Sequence, residues 1–183
     1  SVSDPFGNTV SQTFSDYITV LGAPGNALPI QEGFETASIP NNDWFVENPG
    51  GPGFQITNQA GATGSKSLKL DNSTGSNLDK DAFISSTIDL ENITSATLTF
   101  KYAFAKKTNN NSDFLQIFAS NSCGDTWAVR KSISSSQLAT MNNTTANYNP
   151  GPNDWESVTI SNFTSTYQVD NLRIKFQFTN GGG

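Results

Sequence analysis

The sequence predicts an all-β protein: an antiparallel β-sandwich of the jelly-roll type, carrying a short β-hairpin from a neighbouring unit at its N-terminus. Three observations support this. Apolar and polar residues alternate over 96–105 and again over 113–120, the period of a half-buried strand. About ten such short runs are separated by Gly, Pro, Asn and Asp turn residues, the rhythm of sandwiches and jelly rolls. Aromatic residues make up 11% of the chain, Phe alone contributing 13 residues, while charged residues make up only 14%. That balance suits a β-core filled by large side chains under a polar, weakly charged surface.

Taken in order, residues 1–21 read as the end of one β unit. A turn is expected at Asp4-Pro5-Phe6-Gly7-Asn8 and a β-branched, aromatic strand over 13–21. Residues 22–28 hold Gly22, Pro24 and Gly25 and form a linker, so a domain boundary falls there. The main domain spans 29–183. Its first strand is expected over 29–35, a turn at 40–43 leads into a second, and 50–53 is a glycine loop. Further strands are expected at 54–57, 66–71, 82–90, 96–105, 113–120 and 127–133. Ser134 is placed to cap one short helical turn. Residues 142–154 form a long polar loop with Pro150 and Pro152, and strands follow at 155–160 and 169–178. Leu98, Phe100, Tyr102 and Phe104 share one face, as do Leu115 and Ile117, so 96–105 and 113–120 are expected to be neighbouring antiparallel strands with those faces in the core.

Composition excludes several functions. The chain has no histidine, which removes His-metal motifs, Ser-His-Asp triads and a His base. Its one cysteine, Cys123, makes no internal disulfide or cysteine-rich zinc site, and reads as a small residue beside the turn Cys123-Gly124-Asp125-Thr126-Trp127. A net charge of −6 without basic clusters gives no footprint for nucleic acid, and Lys106-Lys107 reads as a solvated tip. No apolar run is long enough to insert in a membrane. The chain opens at Ser1 and stops at Gly183 in mid-pattern, as a piece of a longer protein would.

The remaining candidates are binding residues. Glu32 and Glu35 point to opposite faces of the expected first strand, whereas Asp79 and Asp81 point the same way around Lys80. Paired glycosidase acids have no support in this scatter. Acid- and Asn-rich loops can supply oxygen ligands to calcium, although the same side chains also make turns. Trp44, Trp127 and Trp155 sit in or beside alternating runs and are expected in the core. Tyr148 is expected to be exposed, in a loop with Asn147, Asn149 and Asn153, where a ring framed by amides can stack on a sugar. Asn-x-Ser/Thr sequons at Asn72, Asn92, Asn110, Asn142, Asn143 and Asn162 arise readily in such a composition and say little.

With these residues placed, the chain resembles known families. Val2-Ser3-Asp4, Gly7 and Tyr17-Ile18-Thr19-Val20 resemble the closing hairpin of a PKD domain. The main domain is similar to the MAM-like, choice-of-anchor J or cleaved-adhesin jelly rolls of secreted Bacteroidetes proteins. The residues carrying this are Glu32-Gly33-Phe34-Glu35, Pro40, Trp44, Gly64 to Leu68, Ala96 to Ala105, Asp113-Phe114-Leu115, Ser122 to Trp127, Leu138-Ala139-Thr140, Pro150, Trp155 and Leu172 to Phe176. Their order resembles the region after the catalytic domain in pappalysin-type (cytophagalysin) zinc metalloproteases, which are exported by type IX secretion.

The resemblance implies an extracellular or cell-surface module that is not itself an enzyme and holds no zinc. Its implied partners are other domains of the parent protein, a glycan, or a cell-surface protein. It implies a structural calcium, with Glu35 and Asp113 as ligands. It also implies a closing strand that 29–183 lacks. A carbohydrate-binding module with Tyr148, Asn147, Asn149 and Asn153 as its site is the second reading.

Overall fold

The computed structural model describes residues 2–3, 5–6, 9–10, 20–36, 38–48 and 53–182. Most of the strand expected over 13–21 and most of the glycine loop at 50–53 lie outside the described residues. At the start, β1 (Val2–Ser3) pairs antiparallel with β2 (Thr9–Val10).

The main domain is a β-sandwich. One layer is a five-stranded sheet in the order β3 (Trp44–Glu47), β6 (Lys80–Ser85), β11 (Arg173–Thr179), β8 (Phe114–Ser120) and β9 (Ala128–Ile133), antiparallel throughout. The other layer consists of two separate ribbons, β4 (Phe54–Thr57) with β5 (Ser67–Leu70) and β7 (Leu98–Tyr102) with β10 (Glu156–Ile160). The expected helical turn, α1 (Ser135–Leu138), follows Ser134, and its Leu138 is buried in the core. Gln137 folds back so that its amide oxygen accepts from the Ser134 hydroxyl at 3.1 Å.

The core lies between the layers. From the five-stranded sheet come Ile117, Ala119, Ile174 and Phe178, none more than 6% exposed. Leu98, Phe100, Tyr102 and Phe104 pack on them from the other layer. The alternation therefore identifies the buried faces correctly, but the expected pairing is wrong. Among the described residues β7 pairs only with β10, and β8 lies between β11 and β9. Residues 103–113 cross from one layer to the other, so the two apolar faces meet through the core rather than side by side. Period-two patterning decides which face is buried and says nothing about which edge is bonded.

Two further expectations change. Residues 29–35 are not a strand: Glu32 accepts the Phe34 N–H at 2.5 Å and Phe34 has φ 61°, a left-handed turn that no strand accommodates. The strand expected over 82–90 runs from Lys80 to Ser85, and Ile88 makes only single bridges, to Asn26 and Leu172.

Candidate functional site

β5 and β7 face each other across a groove of about 370 Å³. Among the described residues each is bonded on one side only, β5 to β4 and β7 to β10. The groove floor is apolar, with Leu115 and Phe178 from the five-stranded sheet. Phe54, Leu70, Tyr102 and Phe104 form its walls, and residues 144–150 lie along one side. Lys69, Lys101 and Lys107 stand at the rim.

Three of the four proposed sugar-binding residues, Asn147, Tyr148 and Asn149, border this groove; Asn153 is exposed and does not line it. Tyr148 is half-buried rather than exposed. Its hydroxyl is buried near Thr140 and Asp154 without a well-formed hydrogen bond, and burial pushes its pKa up. The indole N–H of Trp155, which also lines the groove, is likewise buried and unpartnered among the described residues. The alternation around Trp155 could not reveal that its ring borders an open space.

Asp113 closes the end of the groove. Its carboxylate accepts from the Gly181 N–H at 2.8 Å, with the Asn72 amide at 3.4 Å. A Cβ on Gly181 would come within 2.2 Å of the Asp113 nitrogen, so glycine is what lets the chain cross here. Glu35, the other residue proposed for calcium, is elsewhere. It accepts from the Ser65 hydroxyl at 2.7 Å and from the Ser65 and Lys66 N–H groups at 2.9 Å each, and these bonds, the hydroxyl first, lower its pKa. Ser65 and Lys66 precede β5, whereas Asn72, which reaches Asp113, follows it. The two carboxylates thus sit at opposite ends of that strand and do not form one calcium site. Among the described residues no three acidic or thiol groups gather as metal ligands.

Asp79 and Asp81 also separate. The Asp79 carboxylate accepts from the Ser76 N–H at 2.7 Å at the surface. Asp81 is 2% exposed and accepts from Gly53 N–H at 3.2 Å. Burial raises its pKa, the Gly53 bond opposes this, and the nearby Asp79 charge adds to it.

The turn around Cys123 shapes the outer side of the five-stranded sheet. Cys123 and Gly124 have φ 57° and 99°, and the Ser120 hydroxyl accepts the Gly124 N–H at 2.8 Å. The turn carries Trp127 over Lys175, whose ammonium lies 4.5 Å from the indole centroid and 5.5 Å from that of Phe118. Trp127 is therefore on the outer face, not in the core. Trp44 packs inward, stacked on Phe83 at 4.4 Å.

No family model matches the chain, and no curated protein does. Among solved structures, the chain is similar to the K1 cleaved adhesin domain of Lys-gingipain from Porphyromonas gingivalis W83. The TM-score is 0.55 at 17% identity, over 82% of this chain and 93% of that one. The two share the β-sandwich fold. A second solved structure, TmCBM61 in complex with β-1,4-galactotriose, aligns with TM-score 0.47 at 11% identity, over 82% of this chain and 86% of that one. No helix is long and apolar enough to cross a membrane among the described residues.

Proposed function

We propose that this chain is a non-catalytic accessory module of an extracellular multidomain protein, which holds adjoining polypeptide by taking an added β-strand into the groove between β5 and β7. The observation that carries this is the pair of facing strand edges, each bonded on one side only among the described residues, over an apolar floor. Such edges offer a row of free N–H and C=O groups to an incoming strand. The directions agree. Phe100 packs against Phe176 at 5.1 Å and Phe104 against Phe178 at 5.7 Å, so β7 runs alongside β11 in the same sense. Asn180 donates to the Asn72 carbonyl at 3.1 Å, so β5 ends at the same corner. A strand entering from beside Gly182 and reversing would be antiparallel to both. The sequence resemblance favours a secreted zinc metalloprotease of the type IX pathway as the parent, and the adhesin-domain fold suits a module at or outside the cell surface.

Hydrogen exchange tests the groove. Peptides of about nine residues that alternate valine and threonine match the strand period, and they should protect amides of β5 and β7. Scrambled peptides of the same composition should not. Equal protection by both, or by neither, defeats the proposal.

The second reading is glycan binding at 142–154, favoured by Tyr148, Asn147 and Asn149 bordering one opening. Calorimetric titration with soluble β-glucans, mannans and galactans tests it. Heat of binding lost in Tyr148→Ala supports it, and no heat at millimolar sugar removes it.

A further inference from the structure

The outer face of the five-stranded sheet carries a second, independent feature. β11 is its central strand, and Ile174, Phe176 and Phe178 point into the core, leaving Arg173, Lys175 and Gln177 in a row on the outside. The register sets their neighbours. Lys175 stands between Ile84 and Phe118, and Gln177 between Ala82 and Gln116. Beyond β6 come Phe45 and Glu47. The small side chain of Ala82 leaves a shallow depression walled by Glu47, Asn48, Lys80 and Gln177.

Both cations are held in place but not neutralised. Arg173 donates from Nε to the Ser85 carbonyl at 2.9 Å and lies over the Phe45 ring at 5.5 Å. Lys175 is steadied by the rings of Trp127 and Phe118 alone, and makes no hydrogen bond or ion pair among the described residues. Burial lowers the pKa of each, and Glu47 is the carboxylate whose charge acts on both. Lys80 adds a third cation about four residues along the sheet from Lys175, so positive charge extends roughly 20 Å beside β11 at strand rise. In a chain of net charge −6, this face has the opposite sign to the whole.

We infer that this outer face binds an anionic polysaccharide, its carboxylate or sulfate groups seated on Lys175, Arg173 and Lys80 and its hydroxyls bonded by Gln177 and Gln116. Charge complementarity selects an anion. The choice of a polysaccharide over a peptide rests on the backbone: β6, β11 and β8 are bonded on both sides, so the middle of this face offers no strand edge to augment. Recognition must run through side chains, and a glutamine amide both donates and accepts, as a sugar hydroxyl requires. The reading goes beyond the groove and does not depend on it.

Affinity electrophoresis of the 183-residue chain tests this, with alginate as the uronate probe, dextran sulfate as the sulfate probe, neutral dextran as control, and polyglutamate as the rival macromolecule. Retardation by alginate, by dextran sulfate or by both is expected, falling as salt rises, with none by dextran. Lys175→Met keeps the aliphatic stem on Trp127 and should weaken binding at least about tenfold. Lys80→Ala, further from the core, should weaken it about threefold, and Lys107→Met should leave it unchanged. The inference is overturned by no retardation, by equal retardation in neutral dextran, by polyglutamate binding as tightly as the glycans, or by Lys107→Met weakening binding as much as Lys175→Met.

Discussion

The two layers of the sandwich are built from similar sequence and reach different completeness. In the five-stranded sheet, β6, β11 and β8 are bonded on both sides, and most of their inward residues are closed off, with Ile117 at 0% and Ile174 at 4% exposed; Leu115 and Phe176, which look toward the open layer, are half-buried. In the opposite layer, β5 and β7 carry equally apolar residues, yet Leu68, Leu70, Leu98, Phe100 and Tyr102 are only half-buried. Alternation is the same; the neighbours differ. A strand is sealed by the strand beside it as much as by the layer across the core, and here one layer has its strands in two ribbons with a groove between them.

The sharpest way to test that contrast is a matched pair of truncations. Ile117→Ala removes side-chain volume from the closed sheet and should cost about 3–4 kcal/mol, as large-to-small changes in tight cores do. Leu70→Ala sits on the groove wall, already partly wet, and should cost about 1–2 kcal/mol by lost burial alone. Chemical denaturation of both variants measures this. Equal losses would mean that the groove is sealed in solution and the contrast is false.

Closing the groove should act in the opposite direction. A chain carrying an alternating apolar strand after Gly183 should gain about 2–3 kcal/mol, or roughly 5–10 °C in Tm for a domain of this size. A scrambled tail should gain nothing. If both tails leave Tm unchanged, the two edges do not accept a strand from that side.

This difference between layers also marks what could be read from the sequence. The core faces of β7 and β8 were legible because period two is a local property. Their partners were not, because pairing is decided by the crossing of 103–113 between layers, and polar residues such as Thr108, Asn109 and Asn110 look the same in a hairpin tip and in a crossover. Prolines and asparagines around Tyr148 suggest exposure, yet its ring is half-buried along the groove. Trp127 adjoins an alternating run and so reads as core; the turn at Cys123 and Gly124, both with positive φ, carries it to the other face. The cationic row on β11 was hidden for a simpler reason. Lys80 is far from Arg173 and Lys175 in sequence, those two alternate with core residues such as Ile174 and Phe176, and only the sheet register brings the three together.

A smaller effect is expected at the Tyr148 hydroxyl. It is buried without a well-formed bond, a state that ordinarily costs stability. Tyr148→Phe should therefore be neutral or stabilising by up to about 1 kcal/mol. Destabilisation beyond that would show that the hydroxyl is well bonded in solution, and that the groove wall is tighter than its geometry indicates.

The last test concerns Asp81, which anchors the start of β6 beneath the loop at Gly53. Its carboxyl is raised above the usual 3.8, chiefly by burial. An acid whose folded pKa exceeds its unfolded pKa binds its proton more tightly when folded. Stability from this group is therefore highest at low pH and declines as pH rises from about 3.8 through the raised value. Glu35 and Asp71 have the opposite sign, since both are lowered by hydrogen bonds from serine hydroxyls and amides, so their contribution is lost on acidification. The two kinds of carboxylate mask each other in a simple pH scan. Comparing the chain with Asp81→Asn separates them, because asparagine keeps an oxygen for the Gly53 N–H and carries no charge. The variant should be more stable than the parent at pH 7 and level with it near pH 3. A constant difference across that range, or a parent that is the more stable at pH 7, would mean that Asp81 is solvated in its ionised form and that this end of the closed sheet is as open as the groove.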